Sequence, residues 1–291
     1  MTETALPLII RVSSLPVEPD CPRRWAAEHP VLRKEILAAG YELREPIYGI
    51  APKIGTAVHF GGEVGLSEKL TFGSLPPFDL VENAAIESLR KESADGVAYD
   101  AQYALSPREA ELQVRRMSKA YHDHVAPRIT PVFVEQRFGA DVPGTRQPLY
   151  LSGQPDIVAL ENNAVDDTKS GVRPMPYGKQ VGGYTMIVRS NGHPADEANI
   201  DFVPRATLRK DQPRPVRYTL PLALCEQEAM ETIHNIDRNV TRWREGDHLI
   251  GPGDPRAFPA NNRSNLCKER FCTAHSCSPE RSFCNAWRTK E

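Results

Sequence analysis

The chain has 291 residues, enough for one large domain or two small ones and for a core that needs no disulfide staples. Hydrophobic residues make up 40% and charged residues 25%, the balance of a globular chain, and the formal net charge of −2 excludes indiscriminate coating of nucleic acid. A local basic groove stays open, because charge is sensed over a Debye length and not over the whole molecule.

No run is apolar enough for a membrane span. The start, Met1-Thr2-Glu3-Thr4, lacks the basic region of a secretory signal, so a cytoplasmic location is the expectation. In that reducing compartment the six cysteines read as metal ligands or free thiols in preference to disulfides. Four of them, Cys267, Cys272, Cys277 and Cys284, crowd the last segment, while Cys21 and Cys225 stand alone.

In chain order, residues 7–15 read as a short extended piece. A helix is predicted over 22–39, with Asp20 as its cap and Gly40 as its stop. A second helix is predicted over 55–64, weakened by Gly61 and Gly62. After the break at Leu75-Pro76-Pro77 come helices over 80–92 and 107–125. The middle is rich in β-branched and aromatic residues and predicts strands over 129–138, 148–160 and 164–169. Glu161-Asn162-Asn163 forms a hairpin turn between the last two. A helix over 177–189 ends at Asn191-Gly192, and strands over 199–208 and 215–221 lead to a helix over 224–245 followed by Gly246. A Gly/Pro-rich loop over 251–259 delivers the chain to the cysteines. The fold class is α/β, a mixed central β-sheet flanked by helices. Within a single domain, 1–64 carries the N-terminal helices, 65–128 a helical insertion, 129–246 the catalytic core and 247–291 a C-terminal metal-cluster segment.

The chemistry gathers at Gly153-Gln-Pro-Asp156 and, ten residues on, at Asp166-Asp167-Thr168-Lys169. Two strands joined by a tight turn bring Asp156 and Asp167 to one level of a sheet. Carboxylates aimed at one spot repel unless a cation sits between them, and oxygen donors select Mg²⁺ or Mn²⁺. Lys169 lies on the same face as Asp167, where it can orient a water and stabilise charge developing on a phosphate. Thr168 points the other way but offers a backbone carbonyl to a metal. By the same alternation Asp166 falls on the opposite face, so Asp167 is the ligand. A plain hairpin with solvent-facing charges has this composition too. Gln180 and Tyr184 share a helix face at i, i+4, and His59 sits on a helix able to complete the site; in isolation each reads as an ordinary packing residue.

Taken in order, His59, Gly153 with Asp156, Asp167 with Lys169, and Gln180 with Tyr184 resemble the RecB-like nucleases of the PD-(D/E)xK superfamily. The likeness is to nuclease domains of bacterial recombination helicase-nucleases, small CRISPR-associated exonucleases and their phage counterparts. It runs from Ser13-Ser14-Leu15 and Cys21-Pro22-Arg23-Arg24-Trp25 to Cys277. The resemblance implies a restriction-endonuclease-like core in which His59, Asp156, Asp167 and the Thr168 carbonyl bind metal. Lys169 assists the attacking water, Gln180 supports the site or DNA, and Tyr184 lines the groove. Glu135 is a weaker candidate, read first as a surface glutamate. The resemblance also implies a [4Fe–4S] cluster on Cys21, Cys267, Cys272 and Cys277. The competing reading is a local zinc site of Cys267, Cys272, Cys277 and Cys284, with His275 in reach. Cys225 reads as a buried structural thiol.

The expected function is therefore a metal-dependent DNA exonuclease acting in recombination, repair, or phage or CRISPR DNA processing. The chain holds no P-loop, so a helicase or recombination protein would be a separate partner. The alternative is a catalytically silent nucleic-acid-binding module held by a metal cluster.

Overall fold

The computed structural model describes residues 7–45, 49–99, 104–268, 271–276 and 278–285. The architecture is mixed α/β, with helices flanking two sheets. A five-stranded sheet has the order β2-β5-β6-β7-β8, from β2 (Pro131–Val134), β5 (Ile157–Ala159), β6 (Ala164–Gly171), β7 (Glu197–Pro204) and β8 (Val216–Leu220). Only β6 and β7 run parallel in it. A three-stranded sheet has the order β1-β4-β3, from β1 (Leu8–Arg11), β4 (Leu149–Gly153) and β3 (Phe138–Asp141), with β1 parallel and β3 antiparallel to β4.

Two sheets stand where one was expected because two predicted strands are broken. The stretch 129–138 divides into β2 and β3 at Glu135, whose φ of 50° turns the chain out of the extended conformation. The stretch 148–160 divides into β4 and β5 across Gln154-Pro155-Asp156, where a proline cannot donate to a ladder. Each half then pairs in a different sheet.

The helices are α1 (Val17–Asp20), α2 (Pro22–Glu28), α3 (Pro30–Ala38), α4 (Ile50–Phe72), α5 (Phe78–Glu92), α6 (Pro107–His124), α7 (Gly178–Ser190) and α8 (Leu222–Glu245). The predicted helix over 22–39 is two helices. Pro30 disfavours helical backbone at His29, which adopts φ −75° and ψ 124°. His29 then caps α3 by accepting the Leu32 N–H. The N-cap of α2 is Cys21, not Asp20, whose carboxylate instead accepts a hydrogen bond from Ser264.

The helix expected over 55–64 is far longer, at 23 residues. Its glycines, which propensity counts against it, are contact points. A Cβ on Gly61 would lie 3.0 Å from the Cβ of Ala85, and one on Gly62 would lie 2.9 Å from the Tyr121 ring. The glycines let α5 and α6 approach α4 closely, and tertiary packing overrides propensity.

Alternation along β6 divides the core. Ala164 packs with Ile54, Val58, Val114 and Met117 of the α4–α6 layer, while Val165 packs with Tyr184, Ile187 and Ile233 of the α7–α8 layer. The sheet thus lies between two helical layers, and groups on its two faces meet different neighbours. No helix among the described residues is long and apolar enough to cross a membrane.

Candidate active site

β5 and β6 pair antiparallel with Ile157 opposite Asp166, a register that carries Asp156 to the level of Asp167. Asp156 is buried, and its Oδ2 accepts the Thr168 backbone N–H at 2.6 Å. Its other neighbour is His59 of α4, whose Nε2 lies against the same oxygen. The Oε1 of Glu135 lies 3.7 Å from that nitrogen. One donor atom each from His59, Glu135 and Asp156 fall within 4.8 Å of one another.

On the far side of the strand crossing, Lys169 Nζ stands 2.5 Å from Asp167 Oδ2. The Gln180 side-chain amide, from α7, reaches Asp167 Oδ1 at 3.4 Å and donates to the Tyr184 hydroxyl at 3.1 Å. The Lys169 ammonium also lies over the Tyr177 ring, 5.7 Å from its centroid. Residues from α4, the β2–β3 turn, the β4–β5 link, β6 and α7 therefore converge.

The electrostatics are those of a site short of positive charge. Burial pushes the Asp167 carboxyl up to about 6; Lys169 draws it down and nearby Asp156 pushes it further up. Burial also pushes Glu135 up to about 7, with Asp156 adding repulsion and His59 opposing. At Asp156, burial acts upward, but the charge and close approach of His59, then Lys169 and the Thr168 N–H, outweigh it and hold the carboxyl low. Burial opposes the charged form of His59, yet Asp156 and Glu135 carry its imidazole up to about 9. About a third of the His59 side chain meets solvent, but its Nε2 is enclosed, so the strong coupling applies at that atom.

Two buried atoms are poorly served. His59 Nε2 and Asp167 Oδ2 touch charged partners, but neither contact has hydrogen-bond alignment. Crowded oxygen donors, an imidazole and misaligned buried polar atoms fit a hard divalent cation such as Mg²⁺ or Mn²⁺.

Asp166 lies on the opposite face. Its Oδ1 accepts from Asn199 at 2.9 Å and its Oδ2 from Arg217 at 2.8 Å, and Arg217 also bridges to Asp201 at 2.6 Å. The Thr168 side chain points to this face as well, hydrogen-bonded to Tyr121.

Two acidic residues enter the site through tertiary structure. Glu135, first read as a surface group, is brought inward by its left-handed backbone, with its N–H donated to the Asp156 carbonyl at 3.0 Å. A strained non-glycine residue at such a place is a functional signal only once the structure shows it. Glu63 lines the same cavity as His59, Glu135 and Asp156, although no motif in the sequence marks it. Its signal in the sequence is its position four residues after His59, on one face of the predicted helix.

A second constellation joins the chain ends. Cys21, Cys267, Cys272 and Cys284 are buried and line one small cavity with Arg24, Asn261 and Ser264. Burial, together with nearby Cys284 and Cys21, pushes the Cys272 thiol up to about 12. Cys277 lies outside the described residues. Cys225 is buried apart, at the start of α8. Polar contacts reinforce the junction: Asn261 donates to the Asp20 carbonyl at 2.8 Å, and the Arg23 guanidinium to the carbonyls of Phe258 and Pro255. His275 is fully buried with Nδ1 3.0 Å from the Cys284 carbonyl.

No family model and no curated protein matches the sequence. Among solved structures, the fold is similar to that of a candidate exonuclease from Eubacterium rectale. The two share 11% identity over 89% of this chain and 87% of that one, with a TM-score of 0.51. SSO0001 aligns over 80% of this chain and 78% of its own at 12% identity, with a TM-score of 0.32, too low to carry an argument. The likeness is one of fold alone.

Proposed function

We propose that this chain is a metal-dependent DNA nuclease of the RecB-like type, cleaving phosphodiester bonds, with exonucleolytic action on DNA ends. The observation that carries the reading is the convergence of His59, Glu135 and Asp156 within 4.8 Å, beside Asp167 and a lysine at 2.5 Å from it. The fold shared with a candidate exonuclease supports it. His59, Asp156 and Asp167 would hold the metal, with Glu135 in place of or beside Asp167, and with the Thr168 carbonyl as a further oxygen donor. A bound divalent ion supplies Lewis acidity at the phosphoryl oxygen and lowers the pKa of a bound water. Lys169, held charged by Asp167 and Asp156 against the effect of burial, offers its ammonium to the charge that develops on the phosphate. Gln180, between Asp167 and Tyr184, fixes the carboxylate's orientation. DNA is the partner this reading requires; a separate helicase or recombination protein is compatible with it.

The test is incubation with end-labelled linear DNA and closed circular DNA in Mg²⁺, Mn²⁺ or chelator. Degradation of the linear substrate with either metal, and none with chelator, is expected. Intact DNA under every condition, with the protein still binding it, would favour the silent binding module instead.

For the cysteine cavity we propose an iron–sulfur cluster held by Cys21, Cys267, Cys272 and a fourth thiolate, Cys277 as the resemblance implies or Cys284, which lines the same cavity. Cys21 favours this reading over the local zinc site, because it enters the same cavity from the other end of the chain. Protein purified without oxygen is expected to be brown, with iron and acid-labile sulfide, and Cys21→Ser to lose the colour. Stoichiometric zinc that survives Cys21→Ser would establish the local zinc site instead.

A further inference from the structure

Past Lys169, β6 runs into Ser170 and Gly171 and ends at a cavity of about 540 Å³ that is separate from the site described above. Its lining is unusual for its charge. Arg173 stands exposed at the rim, and Arg205 forms the floor at 9% exposure. Arg205 is fixed there: its guanidinium donates to the Ala51 carbonyl at 2.9 Å and its backbone N–H to Gly171 at 2.7 Å. Ala51 and Pro52, in the first turn of α4, make the opposite wall. Ser170 adds a hydroxyl, and α4 passes so near it that a Cβ on Gly55 would lie 3.0 Å from its Oγ. No carboxylate is among the described residues that line the cavity.

We propose that this cavity is a phosphate subsite, in which Arg173, Arg205 and Ser170 hold a backbone phosphate of the nucleic-acid strand to one side of the scissile bond. The inference rests on the nuclease reading and adds to it where the strand lies. Two guanidinium groups match phosphate geometry better than ammonium groups do, because their N–H donors form a planar fork. The start of a 23-residue helix adds a partial positive charge to the same wall. Position supports the assignment. Pro52 and His59 are seven residues apart on α4, which is roughly 10 Å along the helix axis. That separation is of the order of one to two nucleotides on a strand whose scissile phosphate lies at His59 and Asp156. Ser170 turns to the α4 side of β6, opposite Lys169, and α4 also carries His59, so one helix of the protein serves both positions.

The phosphate in the cavity is either an internal diester or a terminal monoester, and the two are separable. Binding of short single-stranded oligonucleotides, with or without a phosphate at either end, is measured in Ca²⁺ as a function of salt. Arg173→Ala is the informative variant because Arg173 is exposed; Arg205→Lys serves as a second, with its fold checked by circular dichroism. Arg173→Ala is expected to weaken binding about 10-fold, as for loss of one charge-assisted contact. It should also lower the salt slope by about 0.7, the value for one phosphate on a single strand. Arg173→Lys should recover part of both. A loss seen only with terminally phosphorylated oligonucleotides assigns the cavity to the strand end, and a loss seen with all of them assigns it to an internal diester. If the wild type binds and cleaves DNA while Arg173→Ala keeps both the affinity and the slope, the subsite is wrong and the nuclease reading stands. A wild type that neither binds nor cleaves overturns both.

Discussion

Asp166 and Asp167 are consecutive residues of β6, and both are fully buried, yet the two faces of the sheet treat them differently. Asp166 has both oxygens occupied at ordinary distances, one by Asn199 and one by Arg217, and Arg217 neutralises Asp201 in the same network. Asp167 has a long contact from Gln180 and a misaligned one from Lys169, and it faces Asp156 across the strand crossing. A buried carboxylate is tolerated in two ways: by dedicated donors, or by a cation that arrives from outside. Asp166 has the dedicated donors, and Asp167 is left with the need that the proposed metal would meet.

The largest expected effect separates the faces by activity. Lys169→Ala should lower cleavage by at least about 10²–10³-fold, the scale for losing a positioned charge at a developing oxyanion, while the chain stays folded and unfolds cooperatively. Steady-state cleavage and thermal denaturation of the same preparation check both halves. On the other face the order reverses. Arg217→Ala strands two buried carboxylates and should cost about 3 kcal/mol of stability, read from urea denaturation. Asp166→Asn, which keeps the shape and loses the charge, should cost less and leave cleavage within a few-fold of wild type.

A third buried carboxylate sharpens the contrast. Glu18 accepts one hydrogen bond, from Asn239, and belongs to neither network. Burial pushes it up to about 7 from an ordinary 4.5, with Arg238 and Asn239 opposing. A carboxyl raised on folding favours the protonated chain: its contribution to stability is complete below pH 4.5 and is lost as the pH rises through about 7. Glu18→Gln keeps an acceptor for Asn239 and removes the ionisation. It should match wild type at pH 4 and be more stable by about 2–3 kcal/mol at pH 8, as measured by denaturant midpoints at the two pH values. Equal stability at pH 8 would show that water reaches this carboxyl.

The smallest effect concerns orientation. Gln180→Ala removes a contact to Asp167 and one to Tyr184 without removing a charge, and about 10-fold slower cleavage is expected at an unchanged metal optimum. A loss as large as that of Lys169→Ala would mean that Gln180 touches the reacting phosphate.

Much of this was legible in the residues because period and spacing carry it. The ten residues from Asp156 to Asp166 allow one tight connection, and strand alternation alone separates Asp166 from Asp167 and places Lys169 with the latter. What was not legible depended on tertiary structure. The glycines of α4 look like helix breakers until Ala85 and Tyr121 are packed against them, so the sequence predicts a helix that stops at 64. Glu135 enters the site through a backbone turn that no periodicity announces. The resemblance brings Cys21 to the C-terminal cysteines, but that Cys284 lines the same cavity is something local spacing does not encode.

The most direct measurement is the rate of cleavage of end-labelled linear DNA against Mn²⁺ concentration for the wild type, Asp156→Asn and Asp166→Asn. The account predicts saturable Mn²⁺ dependence in the wild type, near-complete loss in Asp156→Asn at every concentration, and a curve close to wild type in Asp166→Asn. Equal cleavage by wild type and Asp156→Asn, or loss of it only in Asp166→Asn, would contradict the assignment of the metal centre to the face that carries Asp156, Asp167 and Lys169.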